Sequence, residues 1–206
     1  TSSNIADGSP ILVNSTTSGR QCMPKIAMND SGNFAITWES NGEIYAAGYR
    51  SDGTSIASEF QVNTTTINIQ NYPNIAMDSD GNFVITWQSY DQDGDGFGVY
   101  HQRYNSSAIA QGKETGVNTT TSGQQTKPSI SMDEVGNYII VWADNEADGD
   151  GIGVFGQLFN AEGTTNNSEF QVNPREAHHP SAWNNNDPNY HYEVLLEENF
   201  GFSTYD

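Results

Sequence analysis

The chain has 206 residues, 34% of them hydrophobic and 11% aromatic, long enough to bury a substantial core. Seven basic against 26 acidic residues give a formal charge of −19, which repels nucleic acid and anionic membranes, since both need Lys and Arg clusters. The lone Cys22 excludes an intramolecular disulfide framework, and it is expected to be a small buried apolar residue.

Taken from the N-terminus, the chain repeats. Val-Asn recurs at Val13-Asn14, Val62-Asn63, Val117-Asn118 and Val172-Asn173, and a proline follows each pair: Pro24, Pro73, Pro128 and Pro180. Next come GNFAITW (32–38), GNFVITW (81–87) and GNYIIVW (136–142), then the aromatic segments IYAAGY (44–49), VYHQRY (99–104) and VFGQLF (154–159). Four strand-sized segments per repeat follow: EFQVN, a P-x-I-x-M segment, a Trp segment and an aromatic segment. The turn DSDGN (78–82) places Gly81 and Asn82 where a tight hairpin needs positive φ.

The Trp segment is the informative one. Phe83, Ile85 and Trp87 face one way and Val84 and Thr86 the other, and a strand uncharged on both faces is covered on both sides. The expected fold is therefore all-β, with about four four-stranded antiparallel repeats of 50–55 residues arranged like propeller blades. An open repeat array, or a sandwich completed by neighbouring subunits, is the alternative. One repeat domain spans 1–206, with units at about 9–58, 59–113, 114–168 and 169–206. The last is degenerate, with Tyr192, Val194 and Leu196 as its third strand and Phe200 to Tyr205 as its fourth. Trp38, Trp87 and Trp142 read as core. His178, His179 and His191 read as surface residues of the irregular last repeat.

Two loops concentrate carboxylates. DQDGDG (91–96) places Asp91, Asp93 and Asp95 at alternate positions between glycines, and EADGDG (146–151) repeats the arrangement with Glu146, Asp148 and Asp150, with Asp144 beside it. Carboxylates held about 4 Å apart repel by several kcal/mol at intermediate dielectric, so a cation is their natural partner. Oxygen-only ligands in a flexible loop point to Ca²⁺. The pattern resembles the DxDxDG calcium loops of EF-hands, although Gln102 stands where an EF-hand has its bidentate Glu. The shortened counterpart SNGE (40–43) keeps only Glu43 and is expected to bind no ion. The N-x-S/T sequons at Asn14, Asn29, Asn63, Asn105, Asn118 and Asn166 recur with the repeat, so a structural role in turns is expected of them.

No GxSxG, HExxH or P-loop is present, and Arg20, Arg50, Arg103 and Arg175 stand at unmatched repeat positions, so no enzyme is expected. The run EFQVNTTT…PNIAMDSDGNFVITWQSYDQDGDGFGVYHQRYN resembles the tandem repeats of very large secreted or surface proteins of bacteria. Those repeats read F-V-V-T-W-x-S, D-G-x-G-x-G-V-Y-x-Q-R-[FY] and E-[FT]-x-V-N-T, and the match covers residues 9 to 173. The resemblance implies an extracellular, calcium-rich, adhesive or cell-envelope setting. The function expected is a non-catalytic Ca²⁺-binding β-repeat protein of the cell surface, structural or adhesive, self-assembling or bound to other surface proteins. The alternative is a lectin-like propeller that binds glycans, with a glycosidase as the third reading.

Overall fold

The computed structural model describes residues 10–145, 151–165 and 167–173. These build three open four-stranded antiparallel sheets, each with its strands in sequence order. The first holds β1 (Gln21–Met28), β2 (Phe34–Ser40), β3 (Glu43–Tyr49) and β4 (Ser55–Gln61). The second holds β5 (Gln70–Met77), β6 (Phe83–Tyr90), β7 (Phe97–Tyr104) and β8 (Ala110–Gly116). The third holds β9 (Gln125–Met132), β10 (Tyr138–Asp144), β11 (Gly153–Phe159) and β12 (Phe170–Gln171).

The turn chemistry explains the strand pairing. Asn41 and Gly42 have φ of +53° and +85°, the two positive values of a type I′ hairpin, and they join β2 to β3 directly. Between β5 and β6 only Gly81 takes a positive φ. Asn82 instead bonds back to Asp78: its backbone N–H donates to Oδ1 at 2.8 Å and its Nδ2 to Oδ2 at 2.8 Å. Asp133 and Asn137 repeat both bonds in the third sheet.

The EFQ segment closes the sheet of the aromatic strand before it, with β4 paired to β3, rather than opening the next sheet. The short SDGT turn, with Gly53 at φ +82°, holds these two strands together, while a longer connection separates β4 from β5. A tight turn leaves adjacent strands no distance in which to part.

The sheets stack face on face. Phe83, Ile85 and Trp87 pack on Ala35, Ile44 and Ala46 of the first sheet. Val84 and Val99, on the opposite face of the second sheet, pack on Tyr138, Ile140 and Trp142 of the third. β6 is therefore buried from Phe83 to Ser89, as the absence of charge on both its faces predicts. Trp38, Trp87 and Trp142 are all buried. The first strands of the three sheets lie side by side, β1 against β5 and β5 against β9.

Cys22 departs from expectation. It is only half-buried, beside Glu39, because β1 is an outer strand of its sheet. Partial burial first, and the Glu39 charge second, push its thiol pKa up. The chain divides by contacts into Thr1–Pro174 and Arg175–Asp206, and the second unit lies outside the described residues. Of the expected fourth repeat, Phe170–Gln171 is described and pairs into the third sheet, while Tyr192, Val194, Leu196 and the three histidines lie outside the described residues. Among the described residues no helix is long and apolar enough to cross a membrane.

Candidate functional site

The acidic loop 91–96 bridges β6 and β7, and the Tyr90–Phe97 pair closes its neck with ring centroids 5.1 Å apart in a T-shaped contact. Asp91 turns the chain at φ +61°, and Gly94 and Gly96 follow at +104° and +75°. The three carboxylates go to different places. Asp91 is exposed. Asp95 Oδ2 accepts from the Gly123 N–H at 3.2 Å. Asp93 Oδ2 accepts from Asn118 Nδ2 at 3.3 Å, while its Oδ1 is buried without a partner. Among the described residues no three His, Cys, Asp or Glu side chains gather as a metal-binding group. Asp144 is fully buried at the end of β10, where Gln125 Nε2 donates to its Oδ2 at 3.0 Å. Glu146, Asp148 and Asp150 lie outside the described residues.

Asp93 belongs to a device that the repeats share. In the second sheet, Asn118 Oδ1 accepts from the Val99 N–H at 2.7 Å and Asn118 Nδ2 also donates to the Thr120 carbonyl at 2.8 Å. In the first, Asn63 Oδ1 accepts from the Ile44 N–H at 2.7 Å and its Nδ2 donates to Glu43 Oε2 and the Thr65 carbonyl. In the third, Asn173 accepts from the Val154 N–H at 2.6 Å. Three of the four Val-Asn pairs, at 62–63, 117–118 and 172–173, thus fasten the start of an aromatic strand. Glu43, the one acid kept in the short loop, makes the bond that Asp93 makes in the long one. The sequon asparagines Asn63 and Asn29 are buried and bonded, which bears out their structural role; Asn166 is not described.

The sequence pattern did not reveal a second feature. The residue before the proline of each first strand has a positive φ: Met23 +53°, Tyr72 +54° and Lys127 +55°. A residue before proline ordinarily lies in the extended region, so this conformation is strained three times over. A register shift accompanies each one, at Cys22/Lys25, Asn71/Asn74 and Val141/Ala143. The x-Pro dipeptide recurring with variable x was the available signal.

At that end the second sheet differs from its neighbours. Where the other repeats have Ser18-Gly19-Arg20 and Ser122-Gly123-Gln124, it has Ile67-Asn68-Ile69. Asn68 takes the positive φ of the two glycines, at +66°. Ile67 and Ile69 are 73% and 51% exposed, and Tyr72 and Tyr90 are 39% and 44% exposed. The Tyr90 N–H bonds to the Ile69 carbonyl at 2.9 Å, which sets these two residues together at one end of the sheet, with Ile67 and Tyr72 close by along the chain. Asn68 and Asn71 flank them, and Asn71 Oδ1 is buried without a partner. Ile67, Ile69, Tyr72 and Tyr90 are themselves uncharged, and the exposed Asp91 follows Tyr90.

The fold and this site define an all-β protein of stacked four-stranded repeats with an exposed aromatic surface at one sheet end. No family model matches the chain, and no curated protein matches it. Solved structures similar to it include a thermostable family-43 glycoside hydrolase, at 11% identity and TM-score 0.48, covering 75% of this chain and 53% of that one. An endo-arabinase from Bacteroides thetaiotaomicron shows 12% identity and TM-score 0.44, over 73% of this chain and 61% of that one. An endo-1,4-beta-xylanase from the same organism shows 12% identity and TM-score 0.47, over 77% and 62%. The chain thus spans between 53% and 62% of the length of these structures.

All three are named as enzymes. Two expectations from sequence, that the chain is no enzyme and that its role is non-catalytic, structural or adhesive, are withdrawn, because both rested on the absence of a local motif. Glycoside hydrolysis needs two carboxylates set apart in space, and these can come from different strands with no local signature.

Proposed function

We propose that this chain is a carbohydrate-binding β-repeat protein whose sheets are blades of a propeller-like stack. The glycan lies at the exposed end of the second sheet, on Ile67, Ile69, Tyr72 and Tyr90. The observation that carries the reading is this surface itself, present in one repeat of three and edged by Asn68 and Asn71. Aromatic faces take the C–H faces of sugar rings, and side-chain amides both donate to and accept from hydroxyls. A net charge of −19 disfavours anionic ligands, and the rings and amides together match the C–H faces and hydroxyls of a neutral sugar.

An extracellular setting and calcium at the acidic loops belong to the same proposal. Asp93 Oδ1, buried and unpartnered, with Asp91 and Asp95 on the same loop, supports a cation at 91–95.

Isothermal titration with neutral oligosaccharides tests the binding, with arabinan and xylan fragments as first probes and a glycan array behind them. The expected result is saturable binding that Tyr72→Ala and Tyr90→Ala each weaken at least tenfold while the melting temperature holds. Release of reducing ends from the bound fragments would add a hydrolytic activity. No saturable binding across the array removes the reading.

A further inference from the structure

The two joints between sheets are built from the same parts, with one exchange. In the joint between the first and second sheets, Tyr104 stacks on Phe83 with centroids 5.0 Å apart, and Phe60 meets Tyr104 at 5.3 Å. Phe60 comes from β4, and its register partner on β3 is the small Ala46. In the joint between the second and third sheets, Phe159 stacks on Tyr138 at 4.8 Å, as Tyr104 stacks on Phe83. Here the third ring comes from β7. His101 lies 4.9 Å from Phe159 and 5.7 Å from Tyr138, and its register partner on β8 is Thr115. The third sheet returns to the first arrangement, with Gly156 paired to Phe170. Ala-Phe, His-Thr and Gly-Phe are thus three ways to supply one ring, and in the described joints only one of those rings titrates.

We propose that His101 makes the joint between the second and third sheets acid-labile, while the joint between the first and second is indifferent to pH over the same range. His101 is 3% exposed. Its Nε2 shares a hydrogen bond of 3.1 Å with the Tyr138 hydroxyl, and its Nδ1 is buried without a partner. A proton arriving at Nδ1 would put a charge among aromatic rings with no acceptor to meet it. The groups around the ring offer no counter-charge. Tyr138 of β10 is neutral, burial holding its phenol pKa well above the ordinary value. Arg103 on the same strand is positive and repels a second cation. Thr86 of β6, Thr115 of β8 and Phe159 of β11 are uncharged, β9 brings Ile130 and Met132 to the cluster, and its charged residue Lys127 is exposed.

Burial first, and Arg103 second, lower the His101 pKa from 6.5 to about 4. Between those two values the opened joint binds a proton that the closed joint refuses, so stability is full above pH 6.5 and falls as pH drops toward 4. At pH 4.5 the open form is favoured by roughly fifty- to a hundredfold relative to neutral pH.

The test is amide hydrogen exchange of the intact chain from pH 7.5 to 4.5, corrected for intrinsic exchange, read at β6 facing the first sheet and at β10 facing the second. Wild type is expected to lose protection in β10 by that factor beyond any loss in β6. The double variant His101→Ala/Thr115→Phe transplants the first joint's arrangement and is expected to abolish the excess. His101→Gln, neutral at every pH, serves as the second variant if the double exchange does not fold, and it is expected to flatten the profile in the same way. Superimposable pH profiles of wild type and the neutral variant, or equal loosening of β6 and β10, would overturn the proposal.

Discussion

Glu114 on β8 holds Thr64 on the connection leading into β5, its Oε2 accepting from the Thr64 N–H at 2.6 Å and from Oγ1 at 3.0 Å. The same pair of bonds joins Thr119 to Glu169, at 2.7 and 2.8 Å. Glu59 does this for Ser15 and Thr16. Burial alone would raise the Glu59 pKa, but the hydrogen bonds from Thr16 and Ser15 prevail and keep it below its ordinary value. Each glutamate therefore fastens the turn that ends the preceding unit. Glu114 also accepts from Gln92 of the acidic loop at 2.6 Å, tying that loop to the same clasp.

Replacing Glu114 by Ala removes all three bonds at once. The site is open to water, which takes over part of the lost bonding, so the expected cost is about 1–2 kcal/mol in urea unfolding. Thr64→Ser keeps both donors and is expected to cost less than half of that. Equal losses in the two variants would show that methyl packing, not the clasp, stabilises the turn.

The acidic loop sets two glycines against each other. Gly94 and Gly96 both have positive φ, but a Cβ on Gly94 would meet open space, whereas one on Gly96 would run into the Gly123 carbonyl and the Gln124 amide. Gly94→Ala is expected to cost about 1 kcal/mol, the backbone penalty alone. Gly96→Ala adds a clash with backbone and is expected to cost about 2 kcal/mol or more. Thermal melts of the two variants side by side decide it, and identical midpoints would mean that the loop moves freely off the 122–124 segment.

Calcium is tested at Asp93. Ion binding to the folded state adds about 2.7 kcal/mol at a hundredfold excess over the dissociation constant. Added Ca²⁺ is expected to raise the melting temperature, and a chelator to reverse it. Asp93→Asn keeps an acceptor for Asn118 but removes the charge, and it is expected to lose much of the calcium response while folding normally. A melting curve that neither calcium nor chelator moves removes the ion from loop 91–96, and Asp93 is then a hydrogen-bond acceptor only, as Glu43 is.

Much of the fold was legible because it is written in periodic, local terms. The alternation in Phe83, Val84, Ile85, Thr86 and Trp87 states that both faces are covered, and side-chain direction in a strand follows from position alone. Asn41-Gly42 carries a hairpin signal as well, which the reading of 40–43 as a shortened acidic loop passed over. The three Trp residues fall where a repeat places core. What could not be read that way was the ownership of a strand. EFQVN looks like a beginning because Val-Asn opens each repeat unit in the text, but hydrogen bonding assigns Phe60 to the sheet behind it.

The site divides along the same line. By itself the sequence determined the repeat, the strands, the turns and the residues at 91–96, since each depends on neighbours within a few positions. Only the tertiary structure decided what those residues face: Asp93 against Asn118, Glu114 against Thr64, His101 against Tyr138 and Phe159, and Ile67, Ile69, Tyr72 and Tyr90 on one exposed end. These partners lie 25 to 50 positions apart or on separate strands, where no local period relates them. Packing of one sheet on the next brings them together, and burial and hydrogen bonding at those contacts then set the chemistry of each group.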